Sequence, residues 1–368
     1  MRIAYMLTSL GRGGAERQVV DLAERMAARG HQVLLIVLTQ GEAHEWPTSV
    51  EVIRLDVRKY TTGLYSGLIA AHRLRRGFCP DLVHSHTFPA NMAARILHVS
   101  GSAPAVLSTI HNVYEGGWPR TALYGLTNSL SIHTTAVSEA VATSHIEAGA
   151  VPNRKCSVLT NGIDAERFAQ NFCRRIAMRA QLNAAGRFIW LAAGRLTAAK
   201  DYPNLLRAFV GLHSTYPSAE LWIAGAGSPA VEKILQNFAD ARGISGSVRW
   251  LGLCDDMPAL FDAADAFVLS SAWEGMPLVV GEAMAMEKLV VGTDVGGVCE
   301  LVGDAGVIVT AKNPKALTDA MIRAMRMPED QRRAMGHAAR ERILNHFDMD
   351  AKVDEWQALY ERLVGERQ

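Results

Sequence analysis

The chain has 368 residues, with 38 basic and 37 acidic side chains and a formal net charge of +1. The length suits two domains of ordinary size, and the balanced charge gives no indication of a basic tail that would coat nucleic acid. Five cysteines are scattered without a C-x-x-C pair, which predicts reduced thiols in a cytoplasmic protein rather than a disulfide framework or a zinc cluster. We predict no signal peptide at the start, and no 18-residue apolar window could span a membrane.

The first elements predict the βαβ unit that opens a Rossmann-type domain: a strand at residues 3–7, a helix ending near residue 29 and a buried strand at 33–38. The loop before the helix matches the dinucleotide fingerprint G-x-G-x-x-G only in part. Gly11 and Gly13 fill the first two positions, but Glu16 fills the third. The loop amides could hold a phosphate at the helix start. A tight strand-to-helix turn without a ligand is the alternative.

A third strand is predicted at residues 50–55, followed by an amphipathic helix at 63–76. Basic side chains cluster at the end of this helix and just ahead of it, namely Arg58, Lys59, Arg73, Arg75 and Arg76. Such a helix could rest on an anionic membrane surface. It could equally be an ordinary surface helix whose cations favour its C-terminal end.

Two histidines lie where predicted strands end: His86 closes the segment 81–86, and His111 follows the strand at 105–109. Clefts in α/β sheets form at the carboxyl ends of strands. A histidine there can orient a substrate hydroxyl or shuttle a proton, and a purely structural role is the alternative. Spacings such as H-x-x-x-H are absent from the sequence, so we expect no metal site.

The alternation of strands and helices stops after residue 164 and then restarts. Residues 165–187 are polar and helical, as expected of a connection between domains. The strands predicted after His111 are 134–137 and 157–159 in the first half, and 188–193, 220–224, 248–251 and 266–271 in the second. Two consecutive Rossmann-like domains are therefore predicted. The chain is predicted helical from residue 319, and its last helix, at 347–364, carries an apolar stripe suited to packing: Trp356, Leu359, Tyr360 and Leu363.

Arg195 and Lys200 lie in the loop that follows the first strand of the second half. Two cations five residues apart at a strand end can hold a diphosphate, the arginine through a bidentate fork. They would also stabilise negative charge on a departing nucleotide. The alternative is a pair of solvated loop cations.

A strand, a turn and a helix are predicted at residues 266–286, with Gly275 in the turn and Pro277 at the first helical position. Glu274 precedes the helix, and Glu282 lies two turns along it, roughly 10 Å away by the rise of an α-helix. The free amides of a helix start attract an anion such as a diphosphate. The two carboxylates could reach hydroxyls on either side of that anion, as in a nucleotide-sugar. Otherwise Glu274 favours the helix dipole and Glu282 is a solvated helix residue.

In this order and spacing the motifs resemble one family, the retaining glycosyltransferases of family 4 (glycosyl transferases group 1), which have the GT-B fold. The segments that carry the resemblance run the length of the chain: 13–17 (GGAER), 81–86 (DLVHSH), 136–138 (AVS), 161–164 (NGID) with Phe168, 194–201 (GRLTAAKD), 223–227 (IAGAG), Leu251-Gly252, Glu274 with Glu282, and 294–297 (DVGG). One departure follows Glu282. The family usually continues through a glycine into proline-valine, whereas residues 285–290 read AMEKLV.

The resemblance implies an α/β protein with two Rossmann-like domains facing across a cleft. The first, at 1–165, would bind the acceptor, and the second, at 166–346, the nucleotide-sugar. A C-terminal helix at 347–368 would cross back to the first domain. By the same likeness Arg195 and Lys200 hold the diphosphate, Glu282 the ribose and Glu274 the transferred sugar, while backbone groups near Leu251 meet the base.

The implied residues fall into three sets. The donor-binding set is Gly13, Gly14, Arg195, Lys200, Gly225, Leu251, Glu274, Gly275, Met276, Leu278 and Glu282. The catalytic set is His111, Arg195, Lys200 and Glu274. The acceptor-binding set is Arg17 and His86.

The implied reaction is a retaining, metal-independent transfer of a hexose or N-acetylhexosamine from a nucleotide-sugar, expected to be a UDP-sugar, to a glycan or lipid-linked acceptor. The likeness to enzymes of bacterial surface polysaccharide and lipopolysaccharide assembly implies a cytoplasmic protein in peripheral contact with the inner membrane. No cofactor, metal or nucleic acid is expected, and the DxD-like string at 348–350 is interpreted as chance. Two alternatives stay open: a GT-B epimerase or phosphorylase that uses the same cleft, and a nucleotide-sugar-binding protein without catalysis.

Overall fold

The computed structural model describes residues 1–39, 48–55, 69, 72–73 and 77–366. They form two compact units, Met1–Gly162 with Met349–Gln368, and Ile163–Asp348. The predicted domain boundaries after residues 165 and 346 lie three and two residues from these divisions. Most of the predicted basic helix at 63–76 lies outside the described residues, as do Arg58 and Lys59.

The first unit is built on seven parallel strands in the order β3-β2-β1-β4-β5-β6-β7. The strands are β1 (Arg2–Leu7), β2 (Gln32–Val37), β3 (Glu51–Arg54), β4 (Leu82–His86), β5 (Val106–Ile110), β6 (His133–Ala136) and β7 (Cys156–Val158). Every residue of β4 and β5 is buried, as expected of parallel strands covered by helices on both faces. The strand order reverses between β1 and β4, so their carboxyl ends border the crevice where such sheets bind ligands.

Within the described residues, the helices that connect these strands are α1 (Gly14–Ala28), α2 (Phe88–Val99), α3 (Trp118–Leu126) and α4 (Glu139–Glu147). The local sequence explains where three of them begin. Pro89 and Pro119 lie in the first turns of α2 and α3, where the missing amide hydrogen costs no helical bond. Ser138 caps α4, because its side chain accepts a 3.2 Å hydrogen bond from the amide of Val141.

The second unit is built on six parallel strands in the order β10-β9-β8-β11-β12-β13. The strands are β8 (Ile189–Ala193), β9 (Glu220–Ala224), β10 (Val248–Gly252), β11 (Ala266–Leu269), β12 (Leu289–Thr293) and β13 (Val307–Val309). Strands β12 and β13 were not predicted. β12 follows a buried apolar helix after only a short polar break, and β13 has three residues, too few for a periodic pattern.

The helices of the second unit are α5 (Phe172–Gln181), α6 (Tyr202–Thr215), α7 (Pro229–Ala241), α8 (Met257–Ala263), α9 (Leu278–Ala285), α10 (Val298–Val302), α11 (Pro314–Arg326) and α12 (Glu329–His346). Residues 165–187, which were predicted to be a helical connection between domains, contain helix α5, which belongs to the second unit. Arg175 pairs with Asp265 at 2.6 Å, and Arg179 pairs with the same carboxylate at 3.2 Å. Arg175 also donates to the carbonyls of residues 262–264 at 2.7–3.1 Å. These contacts hold α5 against the end of α8.

The last helix, α13 (Met349–Gly365), belongs to the first unit. Its predicted apolar stripe is buried in the first core together with Met349 and Val353. The predicted start at residue 347 is wrong by two residues, because Phe347 ends α12 and Asp348 forms an isolated bridge with Ile163. Asp350 of the DxD-like string pairs with Arg25 at 2.8 Å, a packing role within the first unit. Within the described part of the chain, no helix is long and apolar enough to cross a membrane.

Candidate active site

The order in which successive strands are added to the second sheet reverses at β8. Strands β9 and β10 lie on one side of it and β11 to β13 on the other. The carboxyl ends of β8 and β11 therefore border the crevice where open α/β sheets bind ligands. The loop after β8 carries Arg195 and Lys200, and the loop after β11 carries Glu274. The structure thus brings these two predicted groups to one edge of the sheet.

Lys200 and Glu274 form an ion pair at this edge. The Lys200 Nζ atom lies 2.7 Å from Glu274 Oε1, and the two side chains are 17% and 10% exposed. Because both side chains are largely buried, solvent screens the attraction between them less than it screens an ion pair on the surface. A positive and a negative side chain thus lie in direct contact at this edge of the sheet.

Ser271 is a third member of this cluster that the sequence analysis missed. Its hydroxyl donates a 2.6 Å hydrogen bond to the Oε1 atom of Glu274 that also contacts Lys200. The serine lies three residues before the glutamate, a spacing that could have indicated the contact. The neighbouring Ser270 hydroxyl donates to the Lys200 carbonyl at 2.8 Å, and the amide of Ala272 donates to the Ala199 carbonyl at 2.7 Å. The two loops are therefore fixed to each other.

Arg195 lies in the same loop as Lys200, but its side chain is exposed. The alternative of two solvated loop cations therefore describes the position of Arg195 and not that of Lys200. The adjoining backbone is held by the Leu196 amide, which donates to the Ala226 carbonyl at 2.9 Å.

Two glycines in these loops are required by close backbone packing. Gly194 and Gly225 have φ angles of +142° and +149°, values that side-chain-bearing residues rarely adopt. A Cβ on Gly225 would lie 2.0 Å from the Gly194 carbonyl oxygen, and one on Gly194 would lie 2.8 Å from Lys200 Cε. The structure thus gives Gly225, predicted to bind the donor, a packing role that brings the ends of β8 and β9 together.

The start of α9 lies one residue later than predicted, because Pro277 is the N-cap and Leu278 the first helical residue. Gly275 is fixed from behind, since the amide of Gly297 donates to its carbonyl at 2.6 Å. A Cβ on Gly296 would lie 2.2 Å from the Glu274 carbonyl oxygen. The 294–297 motif therefore packs directly against the backbone that carries Glu274.

The other residues of the second unit that were predicted to bind the donor are buried or half-buried. Met276 and Leu278 are buried, whereas Glu282 is half-buried on a helix whose other residues, Val279 excepted, are buried. Both interpretations of Glu282, as a ribose-binding residue and as a partly solvated helix residue, therefore stay predictions. Leu251 lies at an irregularity in the pairing of β10, and its carbonyl accepts from the Cys254 thiol at 3.6 Å.

In the first unit the structure brings His86 and His111 together. The Nδ1 atom of His86 lies 2.9 Å from Nε2 of His111. Burial lowers the pKa of His111 to about 4 and that of His86 well below its usual value. Both rings are therefore neutral at neutral pH. Among the described residues, His86 Nε2 is buried without a hydrogen-bond partner.

His84 lies next to this histidine pair and contacts Tyr360. Neither residue was assigned to the site from the sequence. His84 Nδ1 lies 2.7 Å from the hydroxyl of Tyr360 on α13, and His84 Nε2 lies 2.7 Å from the hydroxyl of Thr109 on β5. The rings of His84 and His86 have centroids 4.0 Å apart. No local pattern could have indicated the partner of His84, because Tyr360 is 276 residues away.

The glycine-containing loop after β1 leads into α1. Gly13 is the N-cap and Gly14 the first helical residue, and Arg17 pairs with Asp21 at 2.8 Å. Thr8, after β1, and Thr87, after β4, lie with their hydroxyls 2.6 Å apart at the point where the first sheet reverses. The segment that begins at this crevice after β1 therefore leads directly to the predicted residues Gly13, Gly14 and Arg17.

Comparison with known proteins agrees with this architecture. The description Glycosyltransferase Family 4 matches residues 12–167, and Glycosyl transferases group 1 matches residues 174–342. The chain therefore belongs to glycosyltransferase family 4, with the GT-B fold, and is a glycosyltransferase of that type.

Individual relatives are 22–30% identical to it over the aligned residues. The chain is 24% identical over 309 residues to the UDP-Gal:alpha-D-GlcNAc-diphosphoundecaprenol alpha-1,3-galactosyltransferase of Escherichia coli, covering 81% of this chain and 79% of that one. It is 30% identical over 224 residues to the lipopolysaccharide core biosynthesis mannosyltransferase LpsB of Rhizobium meliloti, covering 58% and 62%. The crystal structure of Anabaena Alr3699/HepE in complex with UDP and glucose matches with a TM-score of 0.85 over 98% of this chain and 99% of that one, at 22% identity. That last likeness shows the shared fold.

Proposed function

We propose that this glycosyltransferase moves a hexose or N-acetylhexosamine from a UDP-sugar to a glycan or lipid-linked acceptor, with retention at the anomeric carbon and without a metal or cofactor. The observation that carries the proposal is the Lys200–Glu274 pair at the carboxyl ends of β8 and β11. A cation and a hydrogen-bond acceptor side by side suit a phosphate joined to a hydroxylated sugar.

In the proposed complex, Arg195 and Lys200 bind the diphosphate and stabilise the charge that develops as it leaves. Glu274 accepts hydrogen bonds from the transferred sugar, and Glu282 accepts them from the ribose. The amides that begin α9 face the same anion, as helix N-termini do in other phosphate sites. In each case the chain supplies fixed charges and donors rather than a covalent intermediate.

We propose that His111 lies beside the reacting carbon but does not take the acceptor proton, because burial lowers its pKa to about 4 and makes its ring a weak base. The bond between the anomeric carbon and the phosphate oxygen breaks, and the acceptor oxygen forms its bond on the same face. The acceptor proton passes to the departing phosphate oxygen, which balances the transfer. The unpaired Nε2 atom of His86 supports a role in binding an acceptor hydroxyl, because a buried polar atom requires a partner.

The names of relatives support the donor and acceptor classes. UDP is present in the Anabaena HepE complex, and the Escherichia coli relative is named for a UDP-sugar donor and a diphosphoundecaprenol acceptor. The Rhizobium meliloti relative is named for lipopolysaccharide core biosynthesis. We infer a UDP-sugar donor and an acceptor in bacterial surface polysaccharide assembly at the cytoplasmic face of the inner membrane.

A second observation supports the lipid-linked acceptor. Helix α3 follows the loop that carries His111 and presents an exposed apolar face. The members of this face at helical spacing are Trp118, Pro119, Ala122, Leu123 and Leu126. Trp118 is 80% and Leu126 81% exposed. We propose that this face rests on the membrane that holds the acceptor.

The donor site is tested by single substitutions. We expect Lys200→Ala to abolish transfer and Glu282→Ala to weaken UDP binding by about tenfold or more, since each removes a charged contact. Lys233→Ala, an exposed lysine of α7, serves as the matched control and should behave like the wild type. Thermal shift against UDP-, GDP- and ADP-sugars identifies the donor, and product analysis gives transfer rates and anomeric configuration.

Wild-type transfer rates in Lys200→Ala would contradict the assignment of the site. Turnover of the nucleotide-sugar without a transferred sugar would favour an epimerase or phosphorylase instead. Binding without any turnover would favour a binding protein.

A further inference from the structure

Next to His86 and His111, several buried polar side chains are linked to one another by hydrogen bonds and form a polar chain. The Ser85 hydroxyl donates to Asn91 Oδ1 at 2.7 Å, and Asn91 Nδ2 donates to the Tyr124 hydroxyl at 2.8 Å. That hydroxyl in turn donates to Glu115 Oε2 at 2.8 Å. Ser85, Asn91 and Tyr124 are each at most 1% exposed. Since buried polar groups are costly unless paired, this chain specifies where its members lie.

This polar chain contacts the backbone of β4 and β5, the two strands that lead to His86 and His111. Ser85 immediately precedes His86 on β4, and Asn91 Nδ2 also donates to the Thr109 carbonyl on β5 at 3.1 Å. At the far end, the amide of His111 donates to Glu115 Oε1 at 3.4 Å. Glu115 is therefore the member that contacts the His111 backbone directly.

The loop between His111 and α3 is shaped to direct the Glu115 side chain inward. Gly116 and Gly117 have φ angles of +113° and +81°, a conformation that glycine adopts at little cost. The Arg120 guanidinium donates to the Glu115 carbonyl at 2.6 Å. A Cβ on Gly116 would lie 2.8 Å from Arg120 Nε, so this turn is closely packed.

The charged and titratable groups around Glu115 come from three helices. Arg120 and Tyr124 belong to α3, His145 of α4 lines the same small pocket, and Arg95 of α2 lies over the Tyr124 ring at 5.1 Å. Burial raises the pKa of Glu115 to about 7 and lowers that of His145. The Tyr124 hydroxyl accepts from Asn91 and donates to Glu115 Oε2, and the His111 amide donates to Glu115 Oε1. Both oxygens of the Glu115 side chain therefore accept hydrogen bonds.

We propose that Glu115 is a positioning residue that holds the backbone of His111 through its buried carboxylate. It orients the loop between His111 and α3 and does not touch the substrate. The inference rests on the proposed function only in that His111 serves the transfer reaction. The geometry of the polar chain stands independently of that role.

The experiment compares Glu115→Ala and Glu115→Gln with the wild type, using the full chain. We expect Glu115→Ala to lower kcat by about tenfold or more while the KM for the donor changes less than about threefold, since positioning affects the reacting geometry. Glu115→Gln, which keeps one acceptor, should recover part of that loss. Glu147→Gln, an exposed residue of α4, is the matched control and should leave both constants unchanged.

The dependence of kcat on pH separates positioning from simple structural damage. The wild type should lose activity as the pH falls through about 7, where the Glu115 carboxylate becomes protonated. This acidic limb should be absent from Glu115→Gln, because that side chain does not titrate. Amide hydrogen exchange at residues 111–117 should rise in Glu115→Ala and stay close to wild type in Glu147→Gln.

Wild-type kcat in Glu115→Ala, or an acidic limb that persists in Glu115→Gln, would overturn the inference. His111→Ala keeps the two proposals apart. If that variant transfers sugar at the wild-type rate, the role of His111 in the proposed function fails. If it is slow while Glu115→Ala is not, only the inference about Glu115 fails.

Discussion

Gly225 shows how a single residue can decide the geometry of the donor site. Its φ of +149° and its approach to the Gly194 carbonyl leave no room for a side chain. Gly194 in turn leaves space for the stem of Lys200, whose ammonium contacts Glu274. Hydrogen atoms on two α-carbons therefore permit the cation and the carboxylate to meet at the edge of the sheet.

Replacing Gly225 with alanine tests this packing. We expect Gly225→Ala to lose about 2–4 kcal/mol of unfolding free energy. The new Cβ clashes with a backbone oxygen, and alanine is also unfavourable at this positive φ. Gly243→Ala is the matched control, since its φ is +68° but a Cβ there would meet open space. It should lose only about 1 kcal/mol. Urea unfolding measures both, and equal losses in the two variants would contradict the role of the close approach.

At the scale of single elements, α3 has two faces with different surroundings. One face places Tyr124 in the buried polar chain with Asn91 and Glu115. The opposite face exposes Trp118 and Leu126. An exposed face with neighbouring apolar side chains commonly marks an interaction site. Tryptophan also favours the interface between membrane and water.

The double variant Trp118→Ser with Leu126→Ser tests the proposed membrane contact. We expect it to float with phosphatidylethanolamine–phosphatidylglycerol vesicles about tenfold less than the wild type, because burying one such side chain contributes about 1.5–3 kcal/mol. Ile234→Ser, which removes a 64% exposed side chain from α7, should float like the wild type. Unchanged flotation of the double variant would contradict the contact, and a change in oligomeric state instead would identify a second copy as the partner.

At the scale of the whole molecule, the first unit holds a cluster of neutral histidines, His84, His86 and His111, at the ends of β4 and β5. Burial lowers the pKa of His84 and His86 well below the usual value and that of His111 to about 4. A base whose pKa is lower in the folded state contributes stability that is present above about pH 6.5. That stability is lost as the pH falls through the folded pKa. Glu115 acts in the opposite direction, because its raised pKa costs stability as the pH rises through about 7.

Acid unfolding of the first unit tests this arrangement. In the Glu115→Gln background, which removes the opposing effect, we expect the urea midpoint of the first unit to fall steadily from pH 7 to pH 4. Each tenfold difference in proton affinity contributes about 1.4 kcal/mol. Substituting His84→Gln should flatten this dependence, whereas His72→Gln, at an exposed position, should not. Hydrogen exchange assigned to each unit measures the effect, and a midpoint independent of pH would contradict it.

Much of the fold could be predicted because its signals are local. Apolar runs predicted β1, β5, β8, β9 and β11. The loops after β5, β8 and β11 predicted that His111, Arg195, Lys200 and Glu274 lie at strand ends. The family resemblance, carried by motifs in a fixed order, is confirmed by the matches over both halves. The errors also have local causes. Strand β13 is too short for a pattern, and an arginine-rich stretch was interpreted as a connection although Asp265 pairs with it.

The sequence by itself determined the two parallel-sheet halves, the glycine turns and the types of side chain at the strand ends, since each depends on neighbours within a few residues. Only the tertiary structure decided which of those side chains meet. Lys200 joins Glu274 across 74 residues, His86 joins His111 across 25, and His84 joins Tyr360 across 276. Contacts of this kind depend on strand order and on the return of the last helix to the first core, and no local propensity encodes a distance between segments that far apart in the chain.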